Sequence, residues 1–265
     1  MLKTVLTLAL AAGLALNLSG CAQTTSGMSS GRSQLMLVSS DEINTASAKA
    51  YDEVIAKARA AGTLNRDAKQ TRRVQNIAKR LIAVAPQLRP DAKNWDWEVN
   101  VIAEDTVNAW CMAGGKIVVY TGLIEALKPS DAELAVVMGH EMAHALREHS
   151  REQASQEYIR QGALTVASLL GVDDTTLSLG NMAAEIGVML PFSREHETEA
   201  DTVGLELIYK AGYDVDAGPE VWRKMSKLGA SNSLDILSTH PSDDKRIAHL
   251  TELATQLKVA GGRRD

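Results

Sequence analysis

The sequence predicts an α+β domain that is mostly helical and carries one small three-stranded sheet. Three observations point there. Aromatic residues make up only 4% of the 265 positions, with a single Phe, while Ala is abundant, and that balance favours helices over a large β-sandwich. Strand-like alternation is confined to residues 95–122. From Pro129 onward nearly every segment has helical periodicity. With 45% hydrophobic and 23% charged residues, the chain can bury one sizeable core. A formal net charge of -5 and the lack of a dense basic run give no reason to expect a nucleic-acid partner.

The first segment reads as a targeting signal rather than as part of the fold. In "MLKTVLTLALAAGLALNLSGC", Lys3 precedes a largely apolar run from Val5 to Leu16 that is short for a membrane span and suits an export signal. Residues 1–20 are therefore expected to be removed. "LSGC", Leu18 to Cys21, resembles the lipobox of bacterial lipoproteins, in which the chain is cut before the Cys and its thiol is lipidated. The alternative is a plain secretory signal with an incidental Cys. Acyl chains at Cys21 would anchor the protein to one leaflet without spanning it. Ala22 follows, with no Asp to suggest inner-membrane retention, so the resemblance favours the periplasmic leaflet of the outer membrane. Cys111 is then the only cysteine left. It excludes an intrachain disulfide and a Cys-rich zinc site, and in "NAWCM" it reads as a small buried hydrophobe.

Residues 21–40, rich in Ser, Gly and Thr, read as a flexible tether, and 41–265 as one domain. A helix is expected from Asp41 to Gly62, a plausible C-cap, and a second from Asp67 to Ala85, before Pro86. "WDWEVNVIAED" and "KIVVYTG" read as strands, the latter after a Gly114-Gly115 turn, with "TVNAWCM" between them as the middle strand. Beyond Pro129, helices are expected over 130 to about 160, 161–170, 178–189, 193–211, 217–228 and 242–258, the second and third of these as packed cover or a lid.

The chemistry concentrates in "AVVMGHEMAHALREH", 135–149. His140 and His144 are four apart and share a helical face, so two imidazoles can hold one metal ion. Glu141 sits beside them, placed to hold a water, which is the HExxH arrangement of zinc metalloproteases. Ser130 with Glu133 gives the helix a capping-box start. A third ligand is needed. Arg147 and Ser150 occupy the Gly and His positions of the extended metzincin motif, and His149 falls well around a continuous helix from the pair. His149 is expected to be solvated or capping, and Glu148 a solvated neighbour. In "PFSREHETEADTVG", Glu197 and Asp201 share a face, with Glu199 roughly opposite. A Glu ligand followed one turn later by an Asp that accepts an imidazole N–H would complete the site. Geometry alone leaves Glu195 with Glu199, and His196, as alternatives.

"HEMAH", "SREHETEAD", "STHPSDDKRI" and "NAWCMAGGKIVVYTGLI" together resemble zinc metallopeptidase family M48, that of the CAAX prenyl endopeptidases, HtpX and short periplasmic lipoprotein proteases. The likeness runs from about 95 to 250. It implies a zincin-like, gluzincin-type domain whose sheet packs on the HExxH helix, and one Zn2+ per chain. By resemblance His140, His144 and Glu197 are the zinc ligands, Glu141 the catalytic base, and Asp201 the partner behind a ligand. Lys116, Ile117, Val118 and Val119 would form the active-site edge strand, pairing with substrate backbone. His240 would stabilise the transition state or act as a fourth ligand that keeps the enzyme latent. Arg246 would orient His240 or bind a substrate carbonyl. The implied function is a zinc endopeptidase of the cell envelope acting on unfolded or misassembled envelope proteins. The rival reading is a lipid-anchored chaperone or assembly factor with a latent or structural zinc site.

Overall fold

The computed structural model describes residues 21–26, 29–169, 191–229, 234–240 and 244–261. The expected signal peptide and the expected helix near 178–189 lie outside them, whereas residues 161–169, expected as a separate covering helix, continue the helix that begins at His149. Strands β1 (Cys21–Ser26) and β2 (Ser29–Leu35) pair antiparallel in the stretch expected to be a flexible tether. Strand β2 is docked rather than free. Gln34 is fully buried and donates from Nε2 to the Arg147 carbonyl and to Glu152, each at 2.8 Å, while Arg32 pairs with Glu152. A buried carboxylate needs such partners. Two polar side chains that supply them are invisible in an averaged Ser/Gly-rich composition.

Helix α1 (Ser40–Ala60) opens with a capping box between Ser39 and Glu42 and ends just before Gly62, whose φ is 70°. Helix α2 (Ala68–Val84) starts at Asp67, whose carboxylate accepts from the Lys69 and Gln70 amides, and stops before Pro86. Strands β3 (Glu98–Ile102), β4 (Ala109–Met112) and β5 (Lys116–Tyr120) form the small sheet. The remaining helices are α3 (Thr121–Leu127), α4 (Asp131–Leu146), α5 (His149–Leu169), α6 (Arg194–Lys210), α7 (Ala217–Gly229), the short α8 (Asp235–Thr239) and α9 (Asp244–Gly261). Ser130 and Glu133 cap α4 reciprocally, as their spacing predicts. Among the described residues, no helix is long and apolar enough to cross a membrane.

The sheet order is β3-β5-β4, so β5, not the "TVNAWCM" strand, lies in the middle. It pairs parallel to β3 and antiparallel to β4. The cause is local. Gly114 and Gly115, both at positive φ, turn β4 tightly onto β5, and the longer β3–β4 connection then carries β4 past to the outside. Strands β4 and β5 read as nearly continuous apolar runs because both of their faces are covered. Trp110, Met112, Val118 and Ile102 pack with Tyr51 and Ile55 of α1, whereas Ala109, Cys111, Ile117 and Val119 join the main core around α4. The sheet thus lies between α1 and the HExxH helix, as the mostly helical α+β expectation required.

One expected helix over 130–160 is broken. Helix α4 ends at Leu146, Glu148 adopts φ 53°, and α5 restarts at His149. A left-handed Glu is costly and has no sequence signal. It persists here with Arg147 and His149 both buried against Glu199 and with Glu148 paired to Arg89.

Helices α4 and α6 meet at Gly139 and Gly204. A Cβ on Gly204 would lie 2.9 Å from the His140 amide nitrogen and 3.0 Å from the Gly139 carbonyl. Only glycines permit that approach, which brings the acidic face of α6 onto the histidines. Gly204→Ala should therefore destabilise the fold by about 1–3 kcal/mol, the usual cost of overpacking. A urea midpoint equal to that of the parent would show that the two helices part freely.

Candidate metal centre

Four buried side chains from α4, α6 and the end of α8 converge. His140 and His144 stand one turn apart, and their Nε2 atoms are 3.1 Å from each other. Glu197, in the first turn of α6, places Oε2 3.4 Å from His140 Nε2 and Oε1 3.4 Å from His144 Nε2. His240 brings Nδ1 to 3.3 Å from His140 Nε2 and 2.9 Å from Glu197 Oε1. One donor atom from each of the four lies within 4.8 Å of the others. Nitrogen and oxygen ligands at ~2.1 Å around a tetrahedral zinc ion sit about 3.3–3.4 Å apart, as Glu197 and the two Nε2 atoms do, while the His140–His144 and His240–Glu197 pairs lie closer. Imidazole nitrogens facing one another in a buried pocket also repel unless a proton or a cation stands between them. The donor set, three nitrogens and a carboxylate, is of the kind zinc takes.

A layer of charge backs this cluster. Asp201, one turn beyond Glu197, has Oδ1 3.0 Å from His140 Nδ1. Arg246 on α9 grips Asp201 with Nε at 2.8 Å and Nη2 at 2.7 Å, reaches Glu197 Oε2 at 2.6 Å with Nη1, and lies 3.8 Å over the Trp222 ring. These contacts give Arg246 a role beside those expected for it, orienting His240 or binding a substrate carbonyl. Two buried carboxylates one turn apart call for a forked cation, and Arg246 is that cation. Burial alone would lower the His140 pKa, but Glu197 and Asp201 outweigh it and hold it at about 9. Burial likewise opposes ionisation of Glu197, yet the surrounding imidazoles keep that carboxyl well below its usual range. Burial drives His144 well below the ordinary histidine value. Glu141, buried with Oε1 3.5 Å from His240 Nε2, is pushed upward by its burial.

His149 and Glu148 are not solvated. His149 is fully buried, because the break after α4 turns it inward, and its Nδ1 lies 2.9 Å from His144 Nδ1. Its Nε2 is 3.0 Å from Glu199 Oε2, and its ring stacks on His196 at 4.4 Å. Glu148 pairs with Arg89 at 3.3 Å and Arg151 at 3.2 Å. Glu199 does face away from the four donors, into a buried pair with Arg147. Of the alternative ligands, Glu195 is exposed and His196 binds Glu152 at 3.1 Å, so neither joins the cluster. Phe192, stacked 3.9 Å from the His144 ring, and Trp222, edge-on 5.4 Å from the His140 ring, also hold the imidazoles. Only their aromatic character near the motifs hinted at this.

The expected edge strand is corrected by the sheet order. Lys116, Ile117, Val118 and Val119 belong to the central strand, whose backbone is paired on both sides, and the Lys116 ammonium is held by Asp96 and Glu98. The edge is β4. Tyr120 donates to the Asn108 carbonyl at 3.1 Å, so by antiparallel alternation the backbone groups of Ala109 and Cys111 point away from β5. The Cys111 thiol is buried on the α4 side, close enough to feel the charge of Glu141.

The model of Peptidase family M48 matches residues 68–254, which hold the sheet and all four donors. A mitochondrial metalloendopeptidase OMA1 of Arabidopsis thaliana is 43% identical over 150 residues, 57% of this chain and 30% of that protein. The OMA1 of Schizosaccharomyces pombe is 35% identical over 188 residues, covering 70% of this chain and 53% of its own length. A beta-barrel assembly-enhancing protease of Yersinia pestis is 26% identical over 218 residues, 78% of this chain and 43% of that protein. The chain therefore spans about a third to a half of the length of these curated relatives.

Proposed function

The chain belongs to Peptidase family M48, and from that premise we propose that it is a zinc-dependent endopeptidase holding one Zn2+ through His140, His144 and Glu197. The observation that carries this reading is the convergence of those three donors beside a buried Glu141. Bound zinc would supply a Lewis acid that acidifies a water and polarises the scissile carbonyl. Glu141 takes the proton from the attacking water and passes it to the leaving nitrogen. Asp201 and Arg246 fix the carboxylate and imidazole that face the metal. On β4 the Cys111 backbone turns away from β5, the side on which an extended substrate strand would add, gripping main chain without demanding particular side chains.

Such a grip on main chain suits unfolded or misassembled proteins. The likeness to beta-barrel assembly-enhancing proteases supports an envelope setting for those substrates. The "LSGC" run supports a lipid anchor at Cys21, on the inner leaflet of the outer membrane. Purified mature protein should contain one zinc per chain and cleave an unfolded substrate such as casein. A chelator should stop cleavage and added zinc should restore it. Metal-free protein that cleaves equally well would overturn the proposal.

The placement of His240 Nδ1, 2.9 Å from Glu197 Oε1, also supports a resting state in which His240 fills the fourth position. A zinc with four protein ligands is closed, whereas a catalytic one keeps a position for water. His240→Ala should then raise casein cleavage by about tenfold, the gain expected if the open form is roughly a tenth of the population. A fall in rate would instead assign His240 to transition-state stabilisation.

A further inference from the structure

The polar groups behind His144 form a second network that the proposed reaction does not use. His140 has an acid at its back, Asp201, held by Arg246. Among the described residues, none places an acid directly behind His144. Its Nδ1 meets His149 Nδ1 at 2.9 Å, and His149 Nε2 meets Glu199 at 3.0 Å. Glu199 is clamped in turn by Arg147, while Arg32 of β2 reaches it at 3.3 Å. His149, Glu199 and Arg147 are all buried.

We propose that His149 and Glu199 are positioning residues for the metal ligand His144, with Arg147 and Arg32 holding Glu199 in place. The tautomers follow from donor counting. If His144 uses Nε2 on the metal, its Nδ1 carries the proton and must donate it. His149 Nδ1 accepts that bond, so its own proton sits on Nε2 and is donated to the Glu199 carboxylate. Each ring nitrogen has one role, and the orientation of His144 is locked from outside. The two histidine ligands thus receive their support by different routes, directly from Asp201 for one and through an intervening imidazole for the other. The break after α4 makes this possible, since on a continuous helix His149 would lie far around from His144.

The inference rests on the metal-binding reading, and the test separates the two. Zinc affinity of the mature protein is measured by competition with a chromogenic chelator. His149→Phe keeps a flat ring against His196 but removes both hydrogen bonds. His149→Asn keeps an acceptor at the Nδ1 position. The Phe variant should bind zinc about 10–100-fold more weakly, the usual loss when a partner behind a ligand is removed. The Asn variant should recover most of that loss, and Glu199→Gln should fall between. Unfolding midpoints in excess chelator, where zinc binding contributes nothing, separate this effect from a fold-wide one. Zinc affinity in the Phe variant within twofold of the parent would overturn the relay. So would an Asn variant as weak as Phe, or a midpoint loss that accounts for the whole change. Parent protein that binds no zinc would instead overturn the metal site itself.

Discussion

Glu141→Gln should lower casein cleavage by about 10²- to 10⁴-fold, the range attributable to a positioned general base. It should leave one zinc per chain in place. Both halves follow from geometry. Glu141 is buried beside the four donors but is not one of them, so an isosteric amide removes the proton acceptor without removing a ligand. Metal content and cleavage rate measured on the same preparation decide the matter. Equal cleavage by variant and parent would move the base elsewhere. Parent protein that holds zinc but cleaves nothing, even with His240 replaced by Ala, would favour a lipid-anchored chaperone or assembly factor with a structural zinc site.

Arg246→Met carries the largest expected cost in stability. Arg246 is buried and is the fork that holds Asp201 and Glu197 together. Removing it leaves two neighbouring carboxylates facing one another out of water. Breaking a buried pair from one side commonly costs about 3–5 kcal/mol. The urea midpoint of the protein in excess chelator should fall accordingly. Arg246→Lys should recover little, since a point-charge ammonium cannot make the two parallel bonds to Asp201 and also reach Glu197. Partial compensation by zinc is expected, because the metal neutralises Glu197 from the other side. The variant should therefore gain more from added zinc than the parent does. Stability close to that of the parent would show that the two acids are satisfied by other groups.

The parts of the site that were legible in the sequence are those fixed by spacing within one unbroken helix. His140, Glu141 and His144 were readable because four residues make one turn, and Glu197 with Asp201 for the same reason on α6. What linked the two helices was motif order, not any spacing rule. The errors fall where a local break or a distant partner overrides periodicity. His149 was placed by continuing a helix that Glu148 interrupts, and no side-chain preference announces a left-handed Glu. The central and edge strands were exchanged because both are apolar throughout, so alternation could not say which had neighbours on two sides. The docking of Arg32 and Gln34 was hidden by a composition that suits a linker. Its cause is a buried Glu152 more than a hundred residues away.

The hairpin of β1 and β2 also sets a length. In that pairing the backbone of Cys21 lies opposite Leu35, within a stretch fixed to the domain by Gln34. A free linker of about twenty residues would let the catalytic domain roam roughly 25 Å from its attachment point. Opposed strand residues are only about 5 Å apart. With lipid at Cys21, the acyl chains would leave from the body of the protein, and the domain would ride against the bilayer with almost no slack. Only polypeptide presented close to the membrane surface would then be within range.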